Sequence, residues 1–284
     1  MKIGLVLEGG AMRGLFTAGV LDVLMENNIT FQGAVGVSAG AVFGCNIKSR
    51  QNGRVVRYVT KYSRDKRFGS WYSLFTTGNY YGRDFGYREL VDILDPFDRK
   101  AFSENPMEFY AVATDIKTGA PIYHKCFKAD YTDLEWLRAS SSMPLASEIV
   151  KINGYELLDG GIADSIPLRF FELLDYHRNV VILTQPLGFV KPKNPLMPLM
   201  KIIYHRYPAL IQAMAERHFY YNATLQYILE RETAGRALVI RPPVPLGISN
   251  IEKDPAKLKA VYQMGRKAAT VRLTEIKKFT LCDK

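Results

Sequence analysis

The sequence is poor in the residues that staple small folds or hold metals. Its three cysteines, Cys45, Cys126 and Cys282, are far apart, odd in number and without C-x-x-C spacing. That pattern argues against a disulfide framework and a zinc site, and leaves reduced thiols that are expected to be buried. There are four histidines, with no H-x-x-x-H pair and no His–carboxylate cluster, so neither a metal nor a cofactor is expected. No run of 18 apolar residues occurs, which excludes an evident transmembrane helix. Met1–Leu7 carries one lysine and a short apolar run that ends in glycines, unlike a signal-peptide core. A soluble, cytoplasmic protein is the expectation. Zinc-finger spacing, an RNA-binding aromatic motif and a helix-turn-helix pattern are all missing, which leaves a nucleic-acid partner without support. Internal repeats and low-complexity segments are absent as well.

What remains is a chain of 284 residues, 48% apolar, long enough for one large α/β domain or a domain with an extension. Lysine and arginine number 38 against 28 acidic residues, a formal charge of +10 that favours anionic partners such as an acidic membrane surface. Apolar strands alternate with helical periodicity, which predicts a mainly parallel sheet covered on both faces. Strands are expected at Lys2–Leu7, Ala34–Val37, Phe109–Thr114, Pro121–His124, Glu156–Leu158, Val180–Thr184 and Ala237–Ile240. Between them, Leu15–Leu24, Tyr87–Leu94, Leu134–Ser140 and Leu168–Leu174 read as helices. Pro, Lys and Gly accumulate at 186–198, predicting a linker that divides an α/β catalytic domain (1–190) from a mainly helical extension (191–284) with one late strand. In the extension Leu199, Ile203, Tyr207, Leu210, Met214, Tyr221, Leu225 and Ile228 form a helical stripe, with Pro208 as a kink or restart. This stripe is expected to pack on the core.

Three local patterns carry chemistry. Gly36-Val37-Ser38-Ala39-Gly40 follows an apolar strand and places a serine hydroxyl between two glycines. Such spacing suits a sharp strand-to-helix turn with Oγ exposed, and also an ordinary glycine-flanked turn. Glu8-Gly9-Gly10-Ala11-Met12-Arg13-Gly14 lies between the first strand and first helix, where free backbone N–H groups stabilise an anion or a developing oxyanion. It matches neither the P-loop nor the dinucleotide fingerprint. Asp159-Gly160-Gly161 ends a later strand; its carboxylate could act as a general base, or satisfy its own turn amides.

Taken together, in this order and spacing, the three segments make the chain resemble the patatin-like phospholipases. Ala113–Gly119 and Ala139–Pro144 add to the likeness, which covers about the first two thirds of the chain. The resemblance implies a three-layer α/β/α fold with a mainly parallel central sheet and a helical C-terminal extension. It also implies a serine lipid acyl hydrolase, of phospholipase A or lysophospholipase type, with Ser38 as nucleophile and Asp159 as base. Gly9, Gly10, Ala11 and Arg13 would form the oxyanion loop, with Gly14, Gly36, Gly40, Gly160 and Gly161 supporting the turns. An acyl-serine would form and be released by water, on a phospholipid or other acyl ester, with peripheral contact to anionic membrane; no oligomeric state is implied. Ala11 departs from the family's usual glycine, and at positive φ it would be strained by roughly 1 kcal/mol or more.

Two other readings stand beside this one. In a Ser-His-Asp esterase, His177, His205 or His218 would complete a triad, although none lies in a glycine-rich turn. In a catalytically silent lipid- or anion-binding module, Ser38 would be idle. Trp71–Phe75 and Tyr80-Tyr81, preceded by Arg64, Lys66 and Arg67, read as an aromatic loop that packs on the core or touches a bilayer.

Overall fold

The computed structural model describes residues 2–281, so Cys282 lies outside the described residues. One sheet of eight strands organises it: β1 (Ile3–Leu7), β2 (Gly33–Val37), β3 (Glu108–Asp115), β4 (Pro121–Cys126), β5 (Val150–Ile152), β6 (Tyr155–Asp159), β7 (Arg178–Ile182) and β8 (Ala237–Ile240). The order is β5-β6-β3-β2-β1-β7-β8, with β4 also paired to β3. The five strands from β3 through β8 in this order are parallel. β4 and β6 join β3 antiparallel, as does β5 to β6. The mainly parallel sheet expected from the sequence therefore has a three-strand antiparallel margin. Short connections account for the β3–β4 and β5–β6 pairings, because a link of a few residues can only return a strand antiparallel to its predecessor. Asn153 and Gly154, both at positive φ, make such a link between β5 and β6.

Alternate residues of the central strands enter opposite layers. Leu5 and Leu7 of β1, Ala34 of β2 and Ile182 of β7 face one core. Val6, Val35, Val37 and Val181 face the other. The first core is covered by α1 (Gly14–Glu26), α2 (Ala39–Lys48), α3 (Arg54–Tyr62), a π-helical stretch Phe85–Leu94, α5 (Arg99–Glu104) and α6 (Tyr131–Ser140), while α4 (Trp71–Thr77) adds no residue to it. α7 (Leu168–Leu173) contributes to the second. This is a three-layer α/β/α arrangement.

Past β7 come α8 (Met197–Ile203), α9 (Pro208–Thr233), α10 (Pro255–Val271) and α11 (Leu273–Thr280). Proline at the first turn of α9 removes an N–H that has no helical partner there, so Pro208 restarts the helix. Leu210, Met214, Tyr221 and Ile228 of the expected stripe are buried, whereas Leu199 and Ile203 on α8 are exposed. β8 extends the sheet beside β7, and α10 lies along α1. There a Cβ on Gly19 would meet the Tyr262 carbonyl oxygen at 2.1 Å, so only glycine admits this crossing.

The aromatic segment differs from its expectation. Trp71–Thr77 is a helix, capped where the Ser70 hydroxyl accepts the Ser73 N–H at 2.9 Å. Its rings do not pack inward: Trp71, Tyr72 and Phe75 are 59%, 68% and 84% exposed, while Tyr80 is buried. A cap residue directly before the run starts a helix whose first face has no core beneath it.

Candidate active site

Ser38 directly follows β2 and caps α2. Its backbone is in a left-handed, sparsely populated conformation, φ 55° and ψ −125°, which costs of order 1–3 kcal/mol. The turn is held by close backbone approach: a Cβ on Gly36 would come 2.4 Å from the Gly40 carbonyl oxygen, and one on Gly40 2.5 Å from that of Leu7. The Ser38 N–H donates to Ser140 Oγ at 2.9 Å, and its carbonyl accepts from Ala41 and Val42.

Strand register explains how Asp159 reaches this serine. Val37 pairs with Val112 across β2 and β3, and Ala113 pairs with Asp159 across β3 and β6. Residues 38 and 159 thus sit at one level of the sheet on either side of β3. The Asp159 backbone is fixed at both ends, its N–H on the Ser142 carbonyl at 2.8 Å and its carbonyl on Thr114 Oγ1 at 2.9 Å. Oδ1 accepts the Gly161 N–H at 2.7 Å. Burial raises the carboxyl above its ordinary range, opposed by the facing Ser38 hydroxyl, the Arg217 charge and the Gly161 N–H. Ser38 and Asp159 are 8% and 6% exposed.

The glycine-rich loop passes beneath. A Cβ on Gly9 would lie 3.0 Å from both Ser38 Cβ and the Val37 carbonyl oxygen. Ala11, at φ 47°, is the strained non-glycine anticipated from the sequence, and begins a 3-10 turn ending at Arg13. Among the described residues, the N–H groups of Gly9, Gly10 and Ala11 have no internal acceptor. Arg13 donates to Asn250 Oδ1 at 2.7 Å. Gly14 sits where a Cβ would strike Ala39 and Phe43, and one on Gly160 would strike the Val112 carbonyl.

Two cavities meet at Ser38. One, about 120 Å³, is apolar and walled by Val42, Phe43, Tyr58, Leu90, Val91 and Leu137 among others. The second, about 130 Å³, is polar and contains Glu8, Arg13, Asp159, Arg217, Tyr221 and Asn250. No histidine lines either cavity. His177 is exposed beside Asp175, His205 in the turn after α8 bonds to the Ile202 carbonyl, and His218 bonds to the Ala215 carbonyl of its own helix. A triad through any of them is not assembled in this structure.

Several residues here were given no site role from the sequence. Glu8, 2% exposed, accepts from the Tyr221 hydroxyl and the Thr184 N–H, both at 2.6 Å, tying the loop to α9 and the end of β7. Ser140, Ser142 and Thr114 brace the serine and aspartate; the likeness of segments 113–119 and 139–144 to the family was their available signal. Arg217 and Tyr221 had none, since their helical spacing is that of any amphipathic helix.

One group of possible metal ligands, His124, Cys126 and Asp133, lies between β4 and α6. Asp133 is already bound by His124 at 3.0 Å and by the N–H groups of Phe127, Lys128 and Ala129. Burial pushes the Cys126 thiol well up, away from the thiolate that a metal needs. The trio is explained as a loop clasp. No helix among the described residues is long and apolar enough to cross a membrane.

Two family models match separate parts of the chain. The family model "Patatin-like phospholipase" matches residues 5–171, and "Domain of unknown function (DUF6363)" matches 207–281. The uncharacterized protein YjjU of Escherichia coli (strain K12) is 29% identical, over 93% of this chain and 75% of that protein. Lysophospholipase nte1 of Aspergillus terreus is 26% identical over 97% of this chain, which spans only 18% of the fungal protein. Among solved structures, VipD from Legionella pneumophila aligns with a TM-score of 0.43 and 11% identity, over 95% of this chain and 67% of that one. Because the patatin match takes in more than half of the residues and contains the serine turn, the glycine-rich loop and the aspartate, the chain belongs to the patatin-like phospholipases and is a hydrolase of ester bonds.

Proposed function

We propose that this protein is a lipid acyl hydrolase working through a Ser38–Asp159 dyad. Asp159 takes the Ser38 proton as Oγ attacks the ester carbonyl, and passes it to the departing alcohol, leaving an acyl-serine. Water, activated by the same carboxylate, attacks next; the fatty acid leaves and Ser38 is restored. Backbone N–H groups of Gly9, Gly10 and Ala11 face the oxyanion in both steps, where losing one donor typically slows reaction about 100- to 1,000-fold. The observation that carries this reading is the strained Ser38 facing a buried carboxylate at the mouth of an apolar cavity suited to an acyl chain.

The substrate class is a phospholipid, lysophospholipid or other acyl ester presented at an interface. Exposed Trp71, Tyr72 and Phe75, with the +10 charge, support peripheral contact with anionic membrane from the cytoplasmic side. Residues 1–190 form the catalytic domain in this reading, and residues 191–284 an extension. A fluorophosphonate probe should label the purified protein and fail to label Ser38→Ala. An unlabelled, correctly folded wild type would favour the silent binding module instead.

A further inference from the structure

The polar cavity at Ser38 holds the guanidinium groups of Arg13 and Arg217 beside the carboxylates of Glu8 and Asp159, yet among the described residues neither guanidinium forms an ion pair with them. Arg217 reaches over the aspartate turn, with Nη2 3.1 Å from where a Cβ on Gly161 would stand. Among the described residues it makes no hydrogen bond or ion pair, and its Nε is shielded from solvent without a partner. The Arg13 Nε is in the same condition, and its side chain bonds only to the neutral Asn250. Both Glu8 oxygens are taken by Tyr221 and Thr184, and Asp159 is the base. Lys191 adds a third positive group, its Nζ 4.3 Å from the centre of the Tyr221 ring, where Arg217 and Arg13 act on it together with Glu8. Guanidinium groups that are not ion-paired keep N–H donors free for a further anion, and their planar forks suit phosphate oxygens.

Geometry also says which part of a substrate would meet them. Ser38 separates the apolar cavity from this cleft, so an ester with its acyl chain in the former puts its alcohol in the latter. We propose that Arg217 and Arg13, with Asn250 beside them, form a subsite for a phosphate on the leaving alcohol. Preferred substrates are then acyl esters of phosphate-bearing alcohols, not neutral glycerides. This rests on the hydrolase reading above and assigns its selectivity to Arg217, which lies beyond the patatin match.

The test compares 1-acylglycerol with 1-acylglycerol-3-phosphate of the same chain length, in the same detergent micelles, using the full-length protein. Wild type should favour the phosphate ester in kcat/KM by about tenfold or more. Arg217→Gln should shrink that preference about 10- to 100-fold, the range for charge-assisted hydrogen bonds, mainly through KM, and Arg217→Lys should restore part of it. Equal losses on the two esters, with the acid limb of the pH profile moved upward, would make Arg217 a partner of Asp159 and overturn the subsite. Wild type that is labelled by fluorophosphonate but indifferent to phosphate would overturn it too, leaving the hydrolase intact. Wild type neither labelled nor active on either ester would instead defeat the hydrolase reading. Inorganic phosphate competing at concentrations near the KM for the phosphate ester would mark a site for a free anion, against the leaving-group assignment.

Discussion

The two cavities at Ser38 are built by different parts of the chain. Every residue lining the apolar one falls between Ala11 and Met143, inside the patatin match. The polar one also draws Arg217, Tyr221 and Asn250 from beyond it. On the proposed mechanism the earlier segment makes the nucleophile, the base and the acyl side, and the later segment touches only the side where the alcohol departs. The separation of the two walls follows from topology. β1 and β2 deliver the loop and the serine at their carboxyl ends, whereas α9 crosses from the opposite layer and meets them at the buried Glu8.

The sharpest way to break the comparison is to remove chemistry from the earlier segment alone. Asp159→Asn is expected to lower kcat about 100- to 10,000-fold on any acyl ester, the range for a positioned general base. A loss confined to phosphate esters, in steady-state assays on paired substrates, would contradict its role. Next in size is the acyl wall. Val42→Phe should reduce kcat/KM about tenfold for long chains relative to short ones, with an overpacking cost of about 1–3 kcal/mol read by urea denaturation.

A change in the later segment should register first in stability. Tyr221→Phe strips Glu8 Oε1 of its hydroxyl partner, and leaving a buried acceptor unpaired costs about 1–3 kcal/mol. Chemical denaturation of the variant measures it directly; an unchanged midpoint would mean that the two segments are not joined through Glu8.

Asp159 links activity to pH with a definite sign. Its folded-state pKa is raised above the unfolded value by burial. The carboxyl thus favours folding fully below the unfolded pKa, and that contribution disappears as pH rises through the folded pKa. The proposed base must be ionised to act, so on that proposal the acid limb of kcat/KM should fall above the ordinary aspartate range. Asp159→Asn should melt higher than wild type at neutral pH, with the gap narrowing at acidic pH. A variant that melts lower at pH 7 would show that Asp159 is net stabilising there. The smallest effect expected is at the loop: Ala11→Gly relieves positive φ and should gain about 1 kcal/mol or less, since glycine's extra freedom in the unfolded chain offsets part of the relief.

How far the sequence could be read depended on the range of each signal. The serine turn, the glycine-rich loop and the Asp-Gly-Gly turn are each a few residues long, and their backbone demands are written locally. The parallel strands were legible as continuous apolar runs. The antiparallel margin was less so: β5 is three residues long and is not among the strands expected from the sequence. The exposed faces of α4 and α8 were misjudged because periodicity marks an apolar stripe without saying whether anything covers it.

By itself the sequence determined the local turns, the order of the motifs and hence the family, because steric requirements at glycine, serine and proline act between neighbours. The tertiary structure alone decided that Ser38 and Asp159 share one level of the sheet, since that depends on two successive strand registers. It alone brought Arg217 over Gly161 and left its Nε without a hydrogen-bond partner among the described residues. Such convergence is a sum over the packing of every layer between the segments, and no short stretch of residues encodes it.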